Sequence, residues 1–155
     1  MNFNYINIYN NLIDLTRNKD LYKGLVKQDI FSDRLIFFLL HFAFFLKNYK
    51  INTNKKIMQE IFDYCFKQLE LSIREIGYGD QSINKKMKIY INLFYIILDK
   101  IDNWDNLDSN NQKEILSNFL DKSLDMTFLA IYFDKYRLNL KNNTLNSHIK
   151  GVIKP

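Results

Sequence analysis

Two histidines, one cysteine and a short glycine-rich stretch are the parts of this 155-residue chain whose types could support chemistry. His41 lies inside the apolar run LIFFLLHFAFFL, and His148 lies near the carboxyl end. A zinc or iron site needs several His or Cys side chains at ligand spacing, and neither histidine has such a companion. His41 is therefore expected to be a core histidine, with a ring nitrogen bonded to backbone or a neighbouring side chain. A nucleophilic pairing of Cys65 with His41 across adjacent helices has no support in the spacing, and a buried structural thiol is expected instead. Gly77-Tyr78-Gly79 suggests a phosphate-binding turn. No strand precedes it, Ser82 stands where the pattern needs its last glycine, and no GK[ST] follows. Glu70, Glu75 and Asp80 lack the DDxxD or Glu-x-x-His context of helical metal sites. The sequence thus predicts no metal, no cofactor and no catalytic residue. A small helical enzyme would need a polar pocket around paired titratable groups.

The remaining candidates are charges. The net charge is +5, from 22 basic and 17 acidic side chains. Lys47, Lys50, Lys55 and Lys56 surround one loop, Lys85, Lys86 and Lys88 form a second cluster, and Lys135, Arg137, Lys141, Lys150 and Lys154 lie toward the end. Such clusters suit phosphates of RNA or anionic lipid headgroups, or are ordinary solvated faces. Lys85 and Lys86 draw notice because they are expected near the first turn of a helix, where positive charge opposes the macrodipole.

These residues must be positioned by helices. One proline and four glycines leave few breaks, and 47% hydrophobic content is enough for a core, so long helices are favoured over an all-β or doubly wound fold. Helical spacing is predicted over 3–16 and over 20–28. Ser32 and Asp33 are expected to cap an apolar helix over 34–49. That helix holds the twelve apolar-run residues 35–46, short of the roughly twenty that span a membrane, so burial at the centre of a bundle is expected. Met58, Ile61, Phe62, Cys65, Phe66, Leu69, Ile73 and Ile76 recur at steps of three and four and mark the clearest amphipathic helix. Glu70 and Arg74 can pair on its wet side, and Gly77 stands where a C-terminal glycine cap belongs.

Another helix follows from about Asp80, with Ile83, Met87, Tyr90, Phe94, Leu98 and Ile101 as its stripe and Ile91, Leu93 and Ile97 widening it. The two should form an antiparallel hairpin whose link is shaped by Gly77 and Gly79. Residues 102–108 read as a loop around Trp104. Ser109-Asn110-Asn111-Gln112 matches a capping box, and a last helix is expected over 125–140. The fold class is all-α: a single-domain irregular helical bundle of about six to seven helices with a central apolar helix. Residues 1–141 are expected as the helical domain and 142–155 as a flexible tail. A single cysteine excludes an intramolecular disulfide. With no secretory pattern at the amino terminus, a cytoplasmic protein is expected.

The segment 62–88, FDYCFKQLELSIREIGYGDQSINKKMK, resembles the signature region of the ubiquinol–cytochrome c chaperone family. The family pattern is Phe-Asp, a second Phe, then Leu-Arg-Glu-x-Gly-x-Gly-Asp, a hydrophobic residue and a basic pair. Here Phe62-Asp63, Phe66, Ile73-Arg74-Glu75, Gly77, Gly79-Asp80, Ile83 and Lys85-Lys86 hold those places. His41 matches an upstream histidine in an apolar helix. Phe94-Tyr95 matches the start of a Phe-Tyr-Gly-Arg element whose Gly-Arg is Ile96-Ile97 here, and Gln68 replaces a frequent acidic residue. Looser similarity runs from about Tyr22 to Tyr136.

The resemblance implies a chaperone without chemistry of its own, one that binds newly made cytochrome b and promotes assembly of the cytochrome bc1 complex. Mitochondrial relatives, with a small partner protein, act near the ribosomal tunnel exit. The short chain here resembles a bacterial member, which implies a peripheral place at the inner face of the inner membrane, with contacts to ribosome or membrane surface and none to DNA. Client-binding residues are expected at the hairpin: Arg74, Glu75, Tyr78, Asp80, Lys85 and Lys86. For Arg74, Glu75 and Asp80 the alternative is a structural network closing the turn. The other function class is a basic helical module binding RNA or the ribosome surface without a dedicated client.

Overall fold

The computed structural model describes residues 4–27 and 31–155. Among these residues lie seven α-helices: α1 (Ile6–Thr16), α2 (Phe31–Tyr49), α3 (Lys55–Ile76), α4 (Asp80–Ile101), α5 (Ser109–Phe119), α6 (Met126–Lys141) and α7 (Leu145–Lys150). Short 3-10 turns occupy Lys19–Tyr22 and Trp104–Asn106, and no strand appears among the described residues. The fold is an all-α bundle.

α2 is the axis. A helix apolar on every side is stable in water only when other elements surround it. α1, α4 and α6 all pack on α2, and every residue from Phe37 to Leu46 is buried. Its phenylalanines reach outward in different directions. Phe38 meets Tyr9 of α1 at 5.7 Å between ring centroids, Phe42 meets Phe94 of α4 at 5.1 Å, and Phe44 meets Phe133 of α6 at 5.4 Å. Phe44 also meets the fully buried Trp104 edge-on at 5.1 Å. The polar stretch expected as a loop thus anchors its tryptophan in the core. No helix among the described residues is long and apolar enough to cross a membrane.

Several local expectations are corrected. The short helix expected over 20–28 is one 3-10 turn followed by Gly24 at φ 87°. A Cβ on Gly24 would stand 2.8 Å from the Ser123 carbonyl oxygen, so only glycine fits against the loop before α6. Gln28, at the end of that expected helix, and Phe3, at the start of the first, lie outside the described residues. Ser32 and Asp33 do not cap α2, because the helix already includes Phe31; Asp33 sits in the first turn, where a carboxylate suits the macrodipole, and pairs with Lys27 at 3.3 Å. Asp108 caps α5 by accepting from the Asn111 amide at 2.8 Å, which displaces the expected box by one residue. Beyond Lys141, α7 is capped by Thr144 and ends at Gly151 in the left-handed region, φ 75°. Six residues are too few for apolar periodicity to register in sequence.

Candidate functional site

α3 and α4 form the expected hairpin. α3 begins where Asn54 accepts from the Lys56 amide at 2.7 Å. It ends at Gly77, whose φ of 109° is a left-handed cap and whose amide donates to the Arg74 carbonyl at 3.0 Å. Gly79 is different. Its φ of −76° is ordinary extended backbone, and a Cβ there would meet nothing. Conformation therefore explains glycine at position 77 and does not explain it at 79.

Of the six side chains singled out in the sequence, four are brought together in pairs at this end of the hairpin. Arg74 bonds Asp80 across the turn, with Glu70 4.0 Å away on its other side, and this raises the guanidinium pKa further above its already high ordinary value. Lys86 places its Nζ 4.5 Å from the Tyr78 ring centroid, a cation–π contact. Glu75 and Lys85 are exposed and make no ion pair among the described residues. The six thus divide into two pairs that also brace the turn and two free charges. Ile76 and Tyr78, 55% and 43% exposed, add apolar surface beside them. Ile76 was expected to pack with Ile73; Ile73 is fully buried while Ile76 points to solvent. α4 begins at Asp80, so Lys85 and Lys86 fall in its second turn, and the expected conflict with the macrodipole largely vanishes.

The two histidines and the cysteine are held in the core. His41 is fully buried; its Nδ1 lies 2.6 Å from the Phe37 carbonyl oxygen and its Nε2 2.6 Å from the Tyr132 hydroxyl. A carbonyl only accepts, so Nδ1 carries the proton and Tyr132 donates to Nε2. Burial lowers the His41 pKa to about 4, against a smaller opposite pull from the Phe37 bond. Burial raises the Cys65 thiol pKa far above the usual thiol range, which leaves it a poor nucleophile. Among the described residues no three His, Cys, Asp or Glu side chains gather as a metal site would need.

Of the four lysines around the loop, Lys47 and Lys50 are paired, and Lys55 and Lys56 make no ion pair among the described residues. Lys47 reaches Asp105 at 3.2 Å, Arg137 reaches the same carboxylate at 3.3 Å and Lys141 reaches it at 3.5 Å, while Lys50 reaches Asp102 at 3.4 Å. These cations hold the Asp105 pKa below the carboxylate norm despite partial burial. A feature the sequence reading missed lies at the other end of the hairpin. There Leu46, Met58, Phe62, Tyr95 and Leu98 line an open groove of about 440 Å³, with Lys50 and Lys55 also in its wall. Tyr95 was noticed only as part of a motif. α4 buries Ile83, Met87, Phe94, Ile97 and Ile101, and Tyr90, Ile91, Leu93 and Leu98 pack partly buried beside them, which is the wide face expected; Tyr95 falls outside it.

Residues 25–135, from just before α2 into α6, match the family model described as ubiquinol-cytochrome C chaperone. The chain belongs to the ubiquinol–cytochrome c chaperone family. The match takes in the hairpin and the central helix and leaves α1 and α7 outside. The chain is also similar in fold to the crystal structure of the Cbp3 homolog from Brucella abortus, with a TM-score of 0.74 and 23% identity, over 97% of this chain and 87% of that one. The fold shared with that structure covers nearly the whole chain and so reaches beyond the matched segment. No curated protein sequence matches the chain.

Proposed function

We propose that this protein is an assembly chaperone that binds newly made cytochrome b and promotes assembly of the ubiquinol–cytochrome c reductase complex. Membership of the chaperone family is the observation that carries this reading. The reading makes the protein a binder and not an enzyme, peripheral at the inner face of a bacterial inner membrane, with a ribosome surface or a small partner protein as further contacts.

The client surface is proposed at the hairpin turn: Arg74, Glu75, Tyr78, Asp80, Lys85 and Lys86. Glu75 and Lys85 have no partner to give up among the described residues, and exposed Ile76 and Tyr78 lie beside them. An apolar client segment flanked by polar loops needs such a mixture, apolar area for affinity and charges to fix orientation. Gly77 holds the geometry of the link, and Gly79 precedes α4 in the same turn.

Pull-down of the tagged protein with Lys85→Glu/Lys86→Glu tests the location. We expect recovery of cytochrome b to fall at least about fivefold, since reversing exposed charges weakens a complementary interface. Unchanged recovery removes the basic pair from the client site. A deletion strain that loses cytochrome b while its other respiratory complexes persist tests the function itself.

A further inference from the structure

α4 carries a second surface on the side away from its buried stripe. Lys85, Ile89, Asn92, Ile96 and Lys100 recur at steps of four and three, which places them in one row along the helix. All are exposed, and the two isoleucines keep 54% and 51% of their area in solvent. Lys88 lies beside the row. None of these lysines has an ion-pair partner among the described residues. The acids of α4 are Asp80, already engaged by Arg74, and Asp99 next to Lys100. The row is thus a pair of bare β-branched side chains beside three unpaired lysines, with exposed Asp99 as the acid on the same face, and its net charge is positive.

We infer that this outer ridge of α4 docks on an anionic lipid surface. The isoleucines would sink among the acyl chains near the headgroups while the lysine stems extend to the phosphates. The shape favours a bilayer over a protein: the row is the crest of one helix, with two isoleucines as its apolar area, and offers no pocket for a partner's side chains. Leu98, which lines the groove, lies across the helix from the row, and Tyr95 stands between row and groove. The chemistry favours lipid over RNA, because the row itself offers aliphatic isoleucines and no arginine, and a base has only the neighbouring Tyr95 on which to stack. This deepens the membrane location proposed above by assigning it a face, and it does not depend on the client site.

Co-sedimentation of the full chain with vesicles tests it. We expect binding to phosphatidylcholine vesicles containing phosphatidylglycerol at least about tenfold stronger than to phosphatidylcholine alone, and weakened by salt. Ile89→Ser/Ile96→Ser and Lys88→Gln/Lys100→Gln should each lower that binding by about tenfold, with circular-dichroism melting as the check that the bundle is intact. Should the serine pair melt early, Ile96→Gln carries the same comparison. Equal binding to both vesicle types overturns the inference. So does full vesicle binding by the isoleucine variants, or tighter binding of an RNA oligonucleotide than of the anionic vesicles. Lys85 is left in place in every variant, so loss of vesicle binding with cytochrome b recovery retained separates this surface from the client site.

Discussion

At the scale of single residues, glycines and the histidine–tyrosine pair show how local physics sorts positions that look alike in sequence. Gly77 sits at φ 109°, so Gly77→Ala should destabilise the fold by about 1 kcal/mol. Gly79 is an N-cap in extended backbone, where Gly79→Ala should cost about 0.5 kcal/mol, from the poorer cap and not from strain. Gly24→Ala should cost most of the three, because strain at φ 87° adds to the close approach of the Ser123 carbonyl. Urea unfolding midpoints rank the three variants directly. Tyr132→Phe strips the donor from His41 Nε2 and leaves a buried acceptor unsatisfied, a loss of about 1–3 kcal/mol. Thermal melting checks it, and an unchanged melting temperature would mean that this bond contributes nothing.

At the scale of elements, the hairpin and α7 differ in how much sequence pattern announces them. α3 was legible almost to the residue. Its apolar spacing and the Gly77 stop act within one helix, so local physics suffices, while the structure picks Asn54 as the cap. α7 was not legible. Its hold on the bundle is tertiary: the Asn7 side chain donates to the Ile149 carbonyl at 2.9 Å, and the His148 ring stands edge-on to Phe45 at 5.0 Å and Tyr49 at 5.4 Å. From this packing we expect the amides of α7 to exchange more slowly than those of the link around Gly79. Hydrogen exchange resolved by residue is the measurement, and fast exchange throughout 145–150 would instead fit the flexible tail expected from sequence. The candidate site divides the same way. Its six residues were readable as one cluster, because they fall within thirteen positions of a hairpin. Which of them pair and which stay free depended on the geometry of the turn.

At the scale of the whole molecule, both histidines are stored uncharged in the core. Burial lowers the pKa of each to about 4, and both ring nitrogens of His148 lack a hydrogen-bond partner among the described residues. The unfolded chain protonates its histidines near pH 6.5. Between those values the unfolded state binds more protons, so stability is full above about pH 6.5 and falls as pH drops toward 4. Each ring accounts for roughly 3 kcal/mol across that window. Urea titrations at several pH values should show the slope, and His148→Leu should remove about half of it. A flat profile would mean that the rings find solvent or partners on acidification without unfolding.

The sequence by itself determined the class of the fold, the hairpin, the apolar axis at α2 and the family, because periodicity, caps and an ordered motif are properties of neighbouring residues. Tertiary structure decided what those properties cannot encode. Trp104 enters the core from a polar stretch, and Gly24 is required by a carbonyl 99 positions away along the chain. Lys47 and Lys50 are paired with Asp105 and Asp102, whereas Lys55 and Lys56 and the lysines on the outer face of α4 are left bare among the described residues. Side chains distant in sequence become neighbours only when the bundle closes. Which charges remain free to meet a client or a membrane is therefore fixed by packing and not by composition.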